Sequence, residues 1–141
     1  MQKKPTDELM KQLTQNADLE KYIKENEESF INTPLSDILN RIVKEKKIVK
    51  SNALKRAEIN EIYGYQIFSG KRIPSRDKLI ALCIGMELDL EETQSVLKCS
   101  GFAQLYPKSK RDSIIISGIE KGQSVFEING LLYEYKESLL E

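Results

Sequence analysis

The chain has no histidine and only two cysteines in 141 residues. That shortage removes whole classes of chemistry. A four-ligand structural zinc site cannot be built from His and Cys alone. A Cys–His nucleophile pair and a Ser–His–Asp triad are excluded outright. Cys83 lies in the apolar run Leu79-Ile80-Ala81-Leu82-Cys83-Ile84, where a thiol serves as a small buried hydrophobe. Cys99 falls near a helix end, where partial exposure is expected, and both are expected to stay free thiols. No apolar run approaches the roughly 18–20 residues needed to span a bilayer. Met1-Gln2-Lys3-Lys4-Pro5 is not followed by an apolar stretch, so it does not read as a secretory signal, and a cytoplasmic protein with no membrane partner is expected. Gly70-Lys71 lacks the preceding glycines of a phosphate-cradling loop. No metal constellation, cofactor motif or close carboxylate pair stands out, and a non-enzyme is expected.

What the chain has is polarised charge. The whole sequence carries 22 Lys+Arg and 22 Asp+Glu, a formal net charge of +0. Residues 41–78 alone hold 11 of those cations (Arg41, Lys44, Lys46, Lys47, Lys50, Lys55, Arg56, Lys71, Arg72, Arg76 and Lys78) and only 4 acids (Glu45, Glu58, Glu61 and Asp77). The window is therefore +7 and the remainder −7. A neutral protein that separates charge in this way has an electrostatic face of the kind that meets a polyanion. An ordinary solvated helical surface is the plainer alternative.

Helical punctuation is dense. Thr33-Pro34 supplies an N-cap and a first helical residue, followed by Leu35, Ile38, Leu39, Ile42 and Val43 at amphipathic spacing, fading at Lys44–Lys47. A short helix follows, with Ser51 or Asn52 as cap and Ala53, Leu54 and Ala57 turned inward. Another runs from about Asn60 to Ser69 and stops at Gly70. Pro74-Ser75 opens a helix that ends near Gly85, with Leu79, Leu82 and Cys83 on one face. Asp89-Leu90-Glu91-Glu92 has capping-box spacing and launches a helix that ends at Ser100-Gly101. Ser109 starts a helix through Ile114-Ile115-Ile116 and Ile119, broken by Gly122; the Ile triplet also suits a strand by propensity, but no partner strand is visible. Ser124-Val125-Phe126-Glu127 is a second capping box, followed by Ile128, Leu131, Leu132 and Tyr135 at helical spacing. Tyr106, Phe126, Tyr133 and Tyr135 read as core residues. The first 32 residues are acidic and less regular. They show two short amphipathic segments, around Leu9, Met10 and Leu13 and around Leu19, Tyr22 and Ile23, which would pack on the core, mediate dimerisation or stay mobile.

From Pro34 to Ser100 the pattern is five short helices with brief loops. The third ends in Ser69-Gly70-Lys71-Arg72-Ile73-Pro74-Ser75, followed by the apolar helix Lys78–Ile84, then Gly85, then Leu88-Asp89. Over roughly half the chain this resembles the lambda-repressor-like (XRE-type) helix-turn-helix family of bacterial and phage DNA-binding regulators. The resemblance implies an all-α fold: a five-helix repressor-like bundle over 33–101, an N-terminal helical arm over 1–32, and a C-terminal helical extension over 102–141 packed on the bundle. That extension could also serve dimerisation or ligand sensing.

In such a fold one helix crosses the phosphate backbone and the next lies in the major groove. The resemblance puts Lys50, Ser51 and Asn52 at the start of the backbone-crossing helix, as phosphate contacts with Lys71, Arg72 and Arg76. It makes Ile59 and Ile67 the inward anchors of the reading helix. Asn60, Glu61, Tyr65 and Gln66 become base-reading candidates: Gln66 would pair bidentately with adenine, and Glu61 would accept from cytosine. Three departures stand out. Glu58 occupies the turn position where Gly is usual, so a non-Gly residue must adopt that geometry or the turn is built differently. Gly64 occupies an apolar anchor position and would permit close approach of a neighbouring helix. Ile62, Tyr65 and Phe68 form a second apolar stripe, opposite Ile59, Tyr63 and Ile67, on a helix with no Lys or Arg of its own. That stripe makes Ile62 and Phe68 partner-interface candidates, unless the register is shifted and one stripe is core. Two functions follow: a sequence-specific regulator binding double-stranded DNA, as a homodimer on a pseudo-palindromic site, or an interaction adaptor that uses the stripe to hold a protein partner.

Overall fold

A computed structural model describes residues 6–15, 19–25 and 34–141, and every regular element among them is an α-helix. The chain divides into two compact units, Met1–Asn32 and Thr33–Glu141. The first contains α1 (Thr6–Gln15) and α2 (Leu19–Glu25). Leu9 is half-buried there, while Met10, Leu19 and Ile23 are exposed. The expectations for Thr33 and for the side chains of Leu13 and Tyr22 fall outside the described residues.

The second unit holds α3 (Leu35–Lys46), α4 (Lys50–Arg56), α5 (Glu61–Ser69), α6 (Arg76–Gly85), α7 (Leu90–Cys99), α8 (Lys110–Glu120) and α9 (Val125–Glu134). Its centre is α6. Five consecutive residues of α6, Leu79 to Cys83, are buried, so this helix is wrapped on all sides. It packs against α4, α7 and α9, while α5 packs on α3 and α4, and α8 on α7 and α9. Leu39, Leu54, Ile67, Leu97, Ile115, Ile128 and Leu132 close the core around it. The Ile114–Ile116 triplet lies within α8 and is helical.

Polar side chains start most of these helices. Ser75, Asp89, Ser109 and Ser124 each accept from a backbone N–H one turn in, and Asp89–Glu92 and Ser124–Glu127 are complete capping boxes. Two starts differ from expectation. Pro34 is the N-cap of α3, so the helix begins one residue later, at Leu35. The cap of α4 is Val49, with no side-chain bond, so Ser51 and Asn52 lie inside the first turn.

Helix ends follow one rule. In six of them (α3, α4, α6, α7, α8 and α9) a left-handed residue follows the last turn, and the next N–H reaches back five residues, as in Ile59 to Leu54 at 3.0 Å. Glycine fills that place only at Gly101 and Gly122; Lys47, Glu58, Glu87 and Lys136 take it with φ between 54° and 61°. The turn between α4 and α5 is therefore built in the usual geometry, with Glu58 (φ 57°) where Gly would be less strained.

The aromatics of the C-terminal helices are a correction. Tyr106, Phe126, Tyr133 and Tyr135 are all exposed. The α8–α9 pair fills its core with Ile115, Val125, Ile128 and Leu132 instead and turns its large rings outward.

Candidate nucleic-acid interface

The region around α5 is assembled from three local causes. First, the Glu58 turn brings Ile59 back over Leu54, and both are buried. Second, Gly64 lets α5 sit against α4: a Cβ there would lie 2.2 Å from a Leu54 methyl. Third, Asn40 of α3 donates to the Phe68 carbonyl at 2.8 Å and to Ser36 at 2.8 Å, fixing the C-terminal end of α5. These contacts select which arc of an almost wholly apolar helix faces inward. Gly64, Ile67 and Phe68 are buried and Tyr63 is half-buried, while Ile62, Tyr65, Gln66 and Ser69 share the outer face.

Phe68 is therefore not an exposed partner-interface residue. It is 3% exposed, against 73% for Ile62 and 42% for Tyr65. The apolar stripe is reduced to two residues, because the main-chain tie from Asn40 and the packing of α5 on α3 turn Phe68 inward. The inward anchors Ile59 and Ile67 are buried as expected.

The polar candidates fall into distinct situations. The Asn60 side chain is the N-cap of α5, its Oδ1 accepting from the Tyr63 N–H at 3.1 Å, so the helix holds the side chain in place and takes one of the oxygen's two lone pairs. Glu61, Ser51, Asn52 and Lys71 are exposed. Lys50 lays its ammonium 5.0 Å from the centre of the Phe68 ring. Gln66 and Arg72 are joined: Arg72 Nε donates to Gln66 Oε1 at 2.8 Å, and the Arg72 N–H donates to the Gln66 carbonyl at 3.2 Å. The Arg72 guanidinium also lies 5.7 Å from the Tyr63 ring centre. This coupling spans six residues across the Gly70 turn, and the only sequence signal for it is the left-handed Gly70 itself.

Arg76 is not a free cation. Its Nη atoms reach both carboxylate oxygens of Asp112, at 3.4 and 3.0 Å, and the side chain also donates to the carbonyls of Ala103 and Gln104. The next residue, Asp77, accepts two bonds from Arg111, at 3.0 and 2.9 Å. Two Arg-Asp dipeptides, Arg76-Asp77 at the start of α6 and Arg111-Asp112 at the start of α8, are thus cross-paired. Asp112 is nearly buried and also accepts from the Tyr106 N–H, so both of its oxygens are satisfied. The pairing fastens α8 to α6 and removes Arg76 from the set that could meet a phosphate.

Two more cations of the basic window are paired with acids outside it. Lys46 binds Glu92, and Arg56 binds Glu87 while donating to the Gly85 carbonyl at 2.7 Å. Glu92 is held below the usual carboxylate range, first by the Lys46 bond and then by the Asp89 backbone N–H. Eight cations remain without an ion pair among the described residues: Arg41, Lys44, Lys47, Lys50, Lys55, Lys71, Arg72 and Lys78. With Asp77 held by Arg111, only Glu45, Glu58 and Glu61 offset them within the window. The excess is smaller than the sequence count but stays positive on both chain flanks of α5. Lys44, Lys47 and Lys55 belong to the basic window but not to the individual phosphate candidates read from sequence; their exposed state without an ion pair distinguishes them from Lys46 and Arg56.

No helix among the described residues is long and apolar enough to cross a membrane. Comparison with protein-family models, with curated proteins and with solved structures found no match to this chain.

Proposed function

We propose that the protein is a sequence-specific double-stranded DNA-binding regulator of the repressor-like helix-turn-helix class, with α4 crossing the phosphate backbone and α5 entering the major groove. The observation that carries the proposal is the arrangement around α5. An outward face of Ile62, Tyr65, Gln66 and Ser69 is bordered in the chain by unpaired cations, Lys47, Lys50 and Lys55 before it and Lys71 and Arg72 after it. Cations beside a reading element neutralise phosphate and set register, while the element between them contacts base edges. A second copy on a pseudo-palindromic site would cover the exposed Phe126 and Tyr133 of α9, which sit seven residues apart on one helical face.

The test is selection from a random duplex pool at two salt concentrations. A defined motif should enrich, and the log of affinity should fall linearly with log salt, with a slope of about −0.9 per neutralised phosphate. Lys71→Ala should weaken binding to all sequences alike and reduce the slope by about 1. Binding without salt dependence, or no enrichment, would refute DNA recognition. An interaction adaptor is the second reading, favoured by one observation: Ile62 and Tyr65 keep an apolar exposed edge on α5. Loss of a protein partner in Ile62→Ser, with no DNA motif selected, would favour it.

A further inference from the structure

We infer that Gln66 and Arg72 act as one donor-rich unit that reads guanine, rather than as an adenine-reading glutamine beside a phosphate-binding arginine. The inference rests on the DNA-binding proposal above and concerns the specificity of that same face.

Arg72 Nε can only donate, so the Gln66 atom it meets at 2.8 Å must be the amide oxygen. A glutamine pairs bidentately with adenine by accepting from the N6 amino group through that oxygen while donating to N7. Here Arg72 takes one of the two lone pairs of that oxygen and leaves a single acceptor site. Beside that site the pair offers the Gln66 Nε2 amide and the two Arg72 Nη groups, none of which is bonded to another described residue. All are donors. In the major groove, guanine alone presents two adjacent acceptors, O6 and N7, whereas adenine and cytosine each place an amino donor there. A donor-rich unit is better matched to guanine than to a base that also donates.

The unit is also preorganised. Arg72 is held at three points: its backbone N–H on the Gln66 carbonyl, its Nε on the Gln66 side chain, and its guanidinium near the Tyr63 ring. A long side chain fixed before binding loses less rotamer freedom on binding. Because both residues are at the surface, substituting them leaves the buried core untouched.

The experiment is duplex selection with the full chain, comparing wild type, Gln66→Ala, Gln66→Glu and Arg72→Lys, with thermal melting as a folding control. Wild type should select a guanine in each half-site, and replacing that base by 7-deazaguanine, which lacks the N7 acceptor, should weaken binding about ten-fold or more. Gln66→Glu keeps the Arg72 bond but replaces amide donors with a carboxylate, and should turn selection away from guanine there. Arg72→Lys keeps the charge and loses the planar fork, so the guanine preference should collapse while the salt slope stays unchanged. Selection of adenine at that position, or a guanine preference that survives both Gln66→Ala and Arg72→Lys, would overturn the inference and leave DNA binding intact. Equal weakening on every sequence would mean that the unit contacts phosphate, and would overturn it too. Failure of wild type to enrich any sequence would refute DNA recognition itself, and the inference with it.

Discussion

Replacing Gly85 and Gly130 separately by alanine should move stability in opposite directions, although both glycines are helical. Helix propensity alone favours alanine by about 1 kcal/mol in a helix interior. At Gly130 nothing lies within 4 Å of the added Cβ, so the gain should appear almost in full, about 0.5–1 kcal/mol. At Gly85 the Cβ would lie 2.3 Å from the Ala53 carbonyl oxygen, 2.8 Å from the Ala57 Cβ and 2.9 Å from the Ala57 nitrogen. Two of those three atoms are backbone, so no rotamer change relieves the clash, and α4 would have to retreat by about 1 Å from a close-packed core. Overpacking costs about 1–3 kcal/mol where side chains can yield, and a backbone clash belongs at the upper end or beyond. The propensity gain is smaller at the last residue of α6, so the net loss should be about 2–3 kcal/mol. For a domain near 100 residues that corresponds to a Tm lower by about 8–12 °C, against a rise of about 2–4 °C for Gly130→Ala. Urea denaturation followed by circular dichroism measures both, with an unchanged m-value marking an effect on stability alone. If Gly85→Ala proved as stable as Gly130→Ala, the close approach of α4 and α6 would be wrong, and with it the placement of the α4–α5 pair.

Three other outcomes can be measured on the same material. Glu58→Gly should raise stability by about 0.5–1 kcal/mol, because Glu58 holds φ 57° where glycine is unstrained; a loss would mean that the Glu58 side chain makes a contact of its own. Glu92→Gln keeps a side chain able to complete the capping box but removes the charge opposite Lys46. Since the Glu92 pKa is lowered in the folded protein, its stabilisation is present above the ordinary carboxylate pKa and disappears as pH falls through the folded value. The variant should therefore be less stable by about 0.5 kcal/mol at pH 7 and equal to wild type at pH 2, and a deficit unchanged by acid would exclude the charge. Burial pushes the Cys83 thiol up to about 12, with the nearby Glu92 charge adding to it, whereas Cys99 is exposed. A thiol reagent at pH 8 should accordingly titrate one sulfur in the folded protein and two after denaturation; rapid reaction of both in the folded state would contradict the burial of α6.

Local signals in the sequence located most helix ends, because a cap is a contact between residues three apart. Ser75, Asp89, Ser109 and Ser124 announce their helices for that reason. The Glu58 turn and the close approach at Gly64 were legible as departures from a pattern, since each places an unusual residue where backbone geometry is demanding. The orientation of α5 was not legible. Ile62, Tyr63, Tyr65, Ile67 and Phe68 leave no polar face wide enough to fix its rotation, so neighbours decide, and Asn40 lies 28 residues from the Phe68 carbonyl it binds. Arg76 looked like part of a basic flank because Asp112, its partner, is 36 residues away. The outward rings of Phe126 and Tyr133 defeated residue type as a guide: Ile128 and Leu132 fill the α8–α9 contact, where Gly118 leaves no room for larger groups.

The same long-range pairs change what the basic window means. Counted along the chain, it is a block of cations. In three dimensions it has a structural part and a free part. Lys46, Arg56 and Arg76 pair with Glu92, Glu87 and Asp112, acids drawn from the negative remainder of the sequence. Arg76 anchors the C-terminal extension through a nearly buried acid, so removing it should impair folding before it impairs binding, whereas the Lys46 and Arg56 pairs lie at exposed helix ends and contribute about 0–1 kcal/mol each. The free part lies on either side of α5, and α5 itself carries a single formal charge, on Glu61. Non-specific attraction to a polyanion and discrimination between sequences would therefore reside in different residues, separable by mutation. Lys71 and Lys47 should set the salt slope without changing the selected motif, while Gln66, acting with Arg72, should change the motif with little effect on the slope.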